Sequence, residues 1–366
     1  MVKGWTSSLD GRHHGAHYSE AARALDAHPG DFLDFSQNIN PLGPPEAALA
    51  AAEKVLREEA GRYPDLDYAE LRTALAGYLR VPPASVLPTN GGAEALFLAA
   101  RVVAERARSK ALILEPTFSE YAAAAHAAGF EVERVVARRP ETGFRLNLAV
   151  LDEALGRRDN VGLVFLCNPN NPTGDAVSRE DVLRVAGRVR EAGAVLVVDE
   201  AFADFTPRLS VSSEVGESLF VARSFTKFFA VPGLRLGCLV TSEVGSARAF
   251  QPSWPVNAVA AAVGISAAGD GAFAEATLTE VELRRRELLD ALEDLPGITA
   301  YPGSANFLLA RGPQTVPEDL ARKGILVRGC EPFLGLGSGF FRVAVRRAEE
   351  NERLVGTLRS VLGEAS

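Results

Sequence analysis

The sequence predicts an α/β protein with a mostly parallel sheet in a large domain and a smaller α+β domain after it. Two patterns carry this prediction. Through residue 240, short apolar runs alternate with longer amphipathic segments, as expected for strands that helices cover on both faces. The remaining part of the 366-residue chain instead combines one long charged helical pattern with shorter strand-like pieces.

Each strand of the predicted sheet is a continuous apolar run, which indicates burial on both faces. These runs are residues 111–114, 161–167, 194–198, 219–222 and 236–240. Between the second and third runs, residues 178–192 begin with a serine that can cap a helix and continue with helical spacing. Because ligands of such sheets bind at the carboxyl ends of the strands, the residues directly after the runs are the candidates for chemistry.

The C-terminal part predicts a separate α+β unit. Residues 273–295 form a long, charged, amphipathic helix pattern, and a final helix begins near Ala348. The strand-like pieces between them are residues 307–310, 325–328 and 340–345. We expect an N-terminal arm that packs on the small domain, a large domain and the small domain, at residues 1–45, 46–258 and 259–366.

Composition and charge narrow the classes of function. A formal net charge of −8 without a long basic block argues against nucleic acid as a partner. The most apolar stretch, residues 254–268, is shorter than the ~20 apolar residues of a membrane span. The first residues lack the apolar segment of a secretory signal, and three scattered cysteines predict neither disulfides nor a metal site. We therefore expect a cytoplasmic protein without a metal and without nucleic-acid or membrane partners.

Lys227 is the candidate nucleophile among the five lysines of the chain. It lies just after an apolar strand, in the segment Ser-Phe-Thr-Lys-Phe-Phe-Ala, where a charged amine is costly to bury. Desolvation lowers the pKa of such a lysine and makes its neutral amine available as a nucleophile. The alternative is a lysine whose amine extends to the surface.

Three further segments follow predicted strands. Asp199 comes after the most apolar run, where a carboxylate can pair with a protonated ring nitrogen or can cap the next segment. Residues 168–174, NPNNPTG, predict a turn. Residues 89–95, TNGGAEA, open a helix whose N–H groups and dipole suit a phosphate. Since the carboxyl ends of parallel strands meet at one edge of a sheet, we expect these segments and Lys227 to form one site.

In chain order these features are a phosphate loop, an NNPTG turn, an acidic residue and a lysine, an order that resembles the fold-type-I pyridoxal-phosphate (PLP) enzymes of the aspartate-aminotransferase superfamily. The resemblance implies that Lys227 carries the cofactor and that Asp199 pairs with its pyridine nitrogen. The other cofactor contacts that it implies are backbone amides of Gly92 and Ala93, side chains of Ser224, Thr226 and Arg235 at the phosphate, Phe118 stacked on the ring, and Asn171 at the phenolic oxygen.

The resemblance also implies a homodimer with shared active sites, because most members of the superfamily are dimers. Tyr63, in the segment Arg-Tyr-Pro-Asp, would then reach the cofactor phosphate of a partner subunit. One position departs from the common pattern. Phe202 stands where many members have a tyrosine whose hydroxyl contacts the phenolic oxygen of the cofactor, which argues against a generic transaminase site.

Two branches of the superfamily remain as alternatives, the histidinol-phosphate aminotransferases and the L-threonine-O-3-phosphate decarboxylases. The finer motifs resemble the decarboxylases, which supply the aminopropanol phosphate unit of cobalamin. These motifs are DFSQNINPLG at 34–43, RYPDLDY at 62–68, DEAFADF at 199–205, YPGSANF at 301–307 and FRVAVR at 341–346. The implied substrate is a phosphorylated amino acid, with contacts from His14, Gly15, Asn38, Asn171, Arg328 and Arg342.

Two interpretations from other classes are weaker. A PLP-binding regulator without catalysis would keep the cofactor residues, but the substrate arginines would then have no purpose, and no DNA-binding module is visible. A nucleotide-binding oxidoreductase would need a GxGxxG turn, which residues 89–95 lack. A PLP-dependent decarboxylase is therefore the expected function, with an aminotransferase as the alternative.

Overall fold

The computed structural model describes residues 21–23, 26–157 and 160–364. The strands within these residues are β1 Leu33–Asp34, β2 Val86–Asn90, β3 Lys110–Glu115, β4 Glu131–Val136, β5 Val161–Cys167, β6 Val195–Asp199, β7 Leu219–Ser224, β8 Leu236–Val240, β9 Thr299–Tyr301, β10 Phe307–Arg311, β11 Ile325–Leu326, β12 Arg328–Gly329 and β13 Phe340–Ala344. The α-helices are α1 Glu46–Glu58, α2 Ala69–Leu79, α3 Gly91–Ala104, α4 Glu120–Ala127, α5 Leu148–Arg157, α6 Arg179–Glu191, α7 Val244–Ala249, α8 Ala258–Ala268, α9 Gly271–Glu293, α10 Val316–Arg322 and α11 Ala348–Glu364. Within the described ranges, no helix is both long enough and apolar enough to cross a bilayer.

The large sheet has the strand order β2-β8-β7-β6-β5-β3-β4. The pairs β7–β6, β6–β5, β5–β3 and β3–β4 are parallel, whereas β8 runs antiparallel to both of its neighbours. The predicted mostly parallel sheet is thus confirmed. The predicted helix after β5 is confirmed as α6, which begins after Ser178, whose hydroxyl accepts the N–H of Asp181.

Side chains of the central strands alternate between two apolar layers. On β6, Leu196 and Val198 belong to one core, whereas Val195 and Val197 belong to the other. Both layers are closed by helices, since α2, α6 and α8 contribute to the first core and α3 and α4 to the second. Burial of each such side chain contributes about 1.5–3 kcal/mol relative to an exposed position, so the sheet is stable only when both faces are covered.

The second sheet is antiparallel, with the order β12-β13-β10-β9. The helices α9 and α11 cover it through a third apolar core that includes Leu288, Leu292, Leu354 and Leu358. This arrangement matches the α+β unit that the sequence predicts, and α9 lies two residues earlier than the predicted helix. The domain boundaries at residues 45 and 258 stay a prediction.

One predicted strand of this unit is divided in the structure. The piece at 325–328 breaks at Val327, and its two halves join different sheets. Ile325 pairs in parallel with Leu33, while Arg328 pairs antiparallel with Arg342. The N-terminal β1 is therefore hydrogen-bonded to the C-terminal unit through β11. The break at Val327 places Arg328 on β12, which pairs with β13.

The edge of the large sheet at the carboxyl ends of its parallel strands collects the candidate residues. Asp199 ends β6, Ser224 ends β7, and Gly91 begins α3 directly after β2. Arg235 reaches the same edge from the opposite direction, because it immediately precedes the antiparallel β8. Because β8 is antiparallel to β7, Arg235 before β8 lies at the same edge as the residues that end the parallel strands.

Candidate active site

A cavity of about 480 Å³ lies at this edge, between the large sheet and the C-terminal unit. Of the predicted cofactor residues, it is lined by Gly92, Ala93, Phe118, Asn171, Asp199, Ser224, Thr226, Lys227 and Arg235; of the predicted substrate residues, by Asn38, Arg328 and Arg342. His14 and Gly15 lie outside the described residues. Tyr63 does not line the cavity of its own chain, and the residue is 79% exposed. The roles given to these residues stay predictions.

Lys227 combines the position and the electrostatics of a nucleophilic amine. Its Nζ donates to Ser224 Oγ at 3.1 Å, and the ring of Phe202 lies 5.9 Å from the amine. Burial lowers the pKa of Lys227 to about 8, although the carboxylate of Asp199 opposes this shift. A substantial fraction of the amine is therefore neutral near pH 8, as nucleophilic attack requires.

Asp199 is a buried carboxylate with one hydrogen bond to each oxygen. Ala201 N–H donates to Oδ1 at 2.9 Å, and the hydroxyl of Tyr121 donates to Oδ2 at 2.7 Å. Burial raises the pKa of Asp199, while the Tyr121 hydrogen bond and the charge of Lys227 oppose that shift. Sequence reasoning missed Tyr121, whose only signal is its spacing of three residues from Phe118 at the start of α4.

The start of α3 forms a cradle that suits an anion. Gly91 has a φ of +75°, and a Cβ at this position would lie 2.7 Å from Arg235 Nη2. A Cβ on Gly92 would lie 3.0 Å from Ser224 Cβ. The hydroxyls of Ser224 and Thr226 are 2.9 Å apart. The two glycines thus allow free helix N–H groups, two hydroxyls and a guanidinium to converge, which is the donor set of a phosphate site.

Asn170, which sequence reasoning also missed, holds the NNPTG turn in place. Its Nδ2 donates to Pro116 O at 2.9 Å and to Thr173 Oγ1 at 2.8 Å, and its Oδ1 accepts from Thr117 Oγ1 at 2.9 Å. These bonds tie the turn after β5 to the loop that carries Phe118. The neighbouring Asn171 is consequently presented to the cavity, where its side-chain oxygen accepts from Arg342.

The C-terminal unit contributes two buried arginines. Arg328 is 3% and Arg342 is 6% exposed, and both line the cavity. Arg342 donates to the carbonyl of Ser36 at 2.8 Å as well as to Asn171. Burial lowers the pKa of Arg342 to about 10, and burial likewise lowers the pKa of Arg328. Two buried guanidinium groups place positive charge and planar hydrogen-bond donors in the cavity, so it is suited to a ligand with negative charge.

The donor set fits the cofactor that the resemblance implies. PLP needs an amine for its aldehyde, an anion for its ring nitrogen and donors for its phosphate. Lys227, Asp199 and the cradle at the start of α3 supply these groups within one cavity. Asn38 adds a buried side-chain oxygen that has no hydrogen-bond partner among the described residues, as expected for a ligand contact.

The sequence profile of the family described as aminotransferase class I and II matches residues 30–358. Threonine-phosphate decarboxylase of Salmonella typhimurium is 39% identical over 358 residues, which cover 95% of this chain and 96% of that protein. Histidinol-phosphate aminotransferase of Methanosarcina mazei is 31% identical over 350 residues, which cover 93% of this chain and 91% of that protein.

The fold has solved counterparts as well. The crystal structure of the histidinol-phosphate aminotransferase from Clostridium acetobutylicum is similar with a TM-score of 0.82 and 28% identity. The similarity covers 91% of this chain and 99% of that chain, so the large sheet and the C-terminal unit are both included.

Proposed function

Since this chain belongs to the aminotransferase class I and II family, we propose that it is a PLP-dependent decarboxylase that converts L-threonine O-3-phosphate to (R)-1-aminopropan-2-yl phosphate. The observation that carries the proposal is the pair of buried arginines, Arg328 and Arg342, in the cavity that contains Lys227 and Asp199. A substrate with a phosphate and a carboxylate supplies one anionic group for each guanidinium. The similarity to the Salmonella decarboxylase supports this choice of substrate. We propose that the product enters cobalamin biosynthesis, which agrees with the 30% identity to an adenosylcobalamin biosynthesis bifunctional protein of Leptospira interrogans.

The cofactor would be held by groups that the structure brings to one edge of the large sheet. Lys227 would bind it covalently, Asp199 would pair with its ring nitrogen, and the cradle at Gly91 and Gly92 would bind its phosphate. When bound, PLP supplies an electron sink for the bond that breaks at the substrate Cα. The half-buried Phe118 lies at the wall of the cavity, where an aromatic ring can stack on another.

The protein selects the reaction by the way in which it holds the substrate. Arg328 and Arg342 are register partners on adjacent strands and both line the cavity, so their guanidinium groups would bind the two anionic groups of one substrate. A phosphate and a carboxylate bound there fix the orientation of the bonds at Cα. Decarboxylation follows when the Cα–carboxylate bond, rather than the Cα–H bond, is held in the reactive orientation.

Proton delivery falls to Lys227. After CO₂ leaves, Cα must be protonated, and the amine of Lys227 lies in the same cavity. Its pKa of about 8 lets Nζ carry a proton near neutral pH and release it more readily than an ordinary lysine would. The same residue can therefore hold the cofactor and return the proton.

We further propose that the enzyme is a cytoplasmic homodimer with shared active sites. Tyr63 supports the dimer, because its exposed ring stacks on the partly exposed Trp254 with ring centroids 4.4 Å apart. The two rings together offer an aromatic surface on which a second subunit can pack. The thiols of Cys167, Cys238 and Cys330 are buried and unbridged, which suits a reducing compartment.

Histidinol-phosphate aminotransferase is the second candidate, supported by the similarity to the Methanosarcina enzyme. Substrate preference distinguishes the two. We expect CO₂ release from L-threonine O-3-phosphate and little from plain L-threonine, because the phosphate anchors the substrate. If the second candidate is correct, the enzyme forms glutamate from 2-oxoglutarate only when histidinol phosphate is present.

A further inference from the structure

Tyr121 contacts two residues of the proposed site without lining the cavity itself. It is fully buried, and its hydroxyl donates to Asp199 Oδ2 at 2.7 Å. Its ring stacks on Phe165 with centroids 5.1 Å apart and an interplanar angle of 9°. The rings of Tyr121 and Phe118 form a T-shaped pair, with centroids 5.7 Å apart and an interplanar angle of 83°. Two aromatic contacts and full burial thus restrain the Tyr121 ring, and its hydroxyl is held against the carboxylate of Asp199.

The two donors to Asp199 differ in what they restrain. The N–H of Ala201 binds Oδ1 from the chain that follows β6, at 2.9 Å. The Tyr121 hydroxyl binds the other oxygen from α4, so the carboxylate cannot rotate without breaking one of the bonds. Each oxygen of an ionised carboxylate accepts two hydrogen bonds. An acceptor site therefore remains for a donor from the cavity.

Electrostatics give this hydrogen bond a second effect. Burial raises the pKa of Asp199, and the first influence that lowers it again is the Tyr121 hydroxyl. Lys227 acts in the same direction, whereas Glu200 opposes it. Cys167, the register partner of Asp199 on β5, has a pKa of about 12. Its thiol is therefore neutral and adds no negative charge beside Asp199.

We propose that Tyr121 is a positioning residue that keeps Asp199 ionised and correctly oriented for the ring nitrogen of PLP. The inference depends on the cofactor part of the proposed function and is independent of whether the reaction is decarboxylation or amine transfer. Without the hydroxyl, the carboxylate binds a proton more tightly. The proton shared between Asp199 and the ring nitrogen then moves toward Asp199, and the ring becomes a weaker electron sink.

The test compares Tyr121→Phe with Tyr78→Phe. Tyr78 is a matched control, because its hydroxyl donates to the buried carboxylate of Asp204 at 3.0 Å and its ring contacts Phe225 and Phe229, yet neither Tyr78 nor Asp204 lines the cavity. The readout is the ¹⁵N NMR shift of PLP labelled at the ring nitrogen and bound to each protein. We expect a protonated ring nitrogen in the wild type and in Tyr78→Phe, and a shift toward the unprotonated form in Tyr121→Phe.

Kinetics supply the second readout. Removal of a hydrogen bond to a charged group predicts that Tyr121→Phe lowers kcat by about ten- to a hundredfold. KM for the substrate should change little, because Tyr121 does not line the cavity. In an Asp199→Asn background the same substitution should have almost no further effect on kcat, since the hydroxyl acts through the carboxylate.

Three results would overturn the inference while leaving the proposed function intact. These are an unchanged ring-nitrogen shift in Tyr121→Phe, an equal loss of kcat in both backgrounds, and a melting temperature of Tyr121→Phe far below that of Tyr78→Phe, which would make the bond structural. Absence of PLP from the purified wild-type protein would instead overturn the proposed function, and the inference with it.

Discussion

Arg328 and Arg342 are direct register partners across the antiparallel pair β12–β13, so two buried guanidinium groups extend from neighbouring strands into one cavity. Like charges directly opposite each other destabilise a sheet. The charge of Arg328 is accordingly among the influences that lower the pKa of Arg342. A doubly anionic ligand removes this repulsion, which is why the pair is the strongest local argument for a phosphorylated amino acid.

Arg328→Ala should weaken substrate binding. Loss of one partner of a buried charged pair costs about 2–5 kcal/mol, so KM for L-threonine O-3-phosphate should rise roughly 30-fold or more. The visible absorbance of bound PLP should stay normal, because Arg328 is predicted to contact substrate only. Arg311→Ala is the control, since Arg311 lies exposed on β10 of the same sheet. An unchanged KM in Arg328→Ala would show that the residue does not bind substrate.

Arg342→Ala should affect both ligands. Arg342 donates to the side chain of Asn171, which is predicted to hold the cofactor. We therefore expect a rise in KM together with weaker PLP binding, measured as the PLP concentration that half-saturates the apoenzyme. Equal effects of the two arginine substitutions on PLP affinity would contradict this difference in their contacts.

Attachment of PLP to Lys227 should depend on pH with a midpoint near 8. Only the neutral amine attacks, and burial lowers the pKa of Lys227 from 10.5 to about 8, so attachment becomes faster as the pH rises through that value. The measurement is the rate at which apoenzyme forms a borohydride-reducible PLP adduct, located by mass spectrometry. Lys227→Ala should form none, and Lys110→Arg should behave as wild type. A reduced adduct on another lysine would disprove the assignment.

Shared active sites predict complementation between inactive subunits. If Tyr63 acts on the partner's cofactor phosphate, Lys227→Ala subunits can supply an intact Tyr63 to Tyr63→Ala subunits. An equal mixture that exchanges subunits of a two-fold dimer should regain about a quarter of wild-type activity, because half of the dimers carry one complete site. Shared sites would be contradicted if analytical ultracentrifugation showed a monomer, or if mixing the two variants restored no activity.

Much of the fold follows from local patterns in the sequence. The runs 161–167 and 236–240 match β5 and β8 residue for residue, because continuous apolar strands buried on both faces leave a clear signal. The edge strand β4 was absent from the prediction. Its sequence, Glu-Val-Glu-Arg-Val-Val, is only partly buried and gives a weaker signal. The antiparallel direction of β8 depends on pairing between distant segments, which a local pattern cannot reveal.

The candidate site could be predicted only in part. Lys227 and Asp199 follow strands, so topology alone brings them to one edge. The contact between Tyr121 and Asp199 joins residues 78 positions apart, and the register of Arg328 with Arg342 requires the chain to break at Val327. Such contacts depend on tertiary packing, and the polar bonds of Asn170 depend on the exact paths of the turn after β5 and the loop after β3.

The most direct test of the proposed function is one assay on the PLP-loaded protein with L-threonine O-3-phosphate labelled with ¹³C at the carboxylate. Without any 2-oxo acid, we expect the label to appear as CO₂ and bicarbonate, in equal amount to (R)-1-aminopropan-2-yl phosphate. A parallel sample with histidinol phosphate and 2-oxoglutarate should form little glutamate. Efficient glutamate formation in that sample, with the ¹³C label retained in threonine phosphate, would contradict the decarboxylase and establish the aminotransferase.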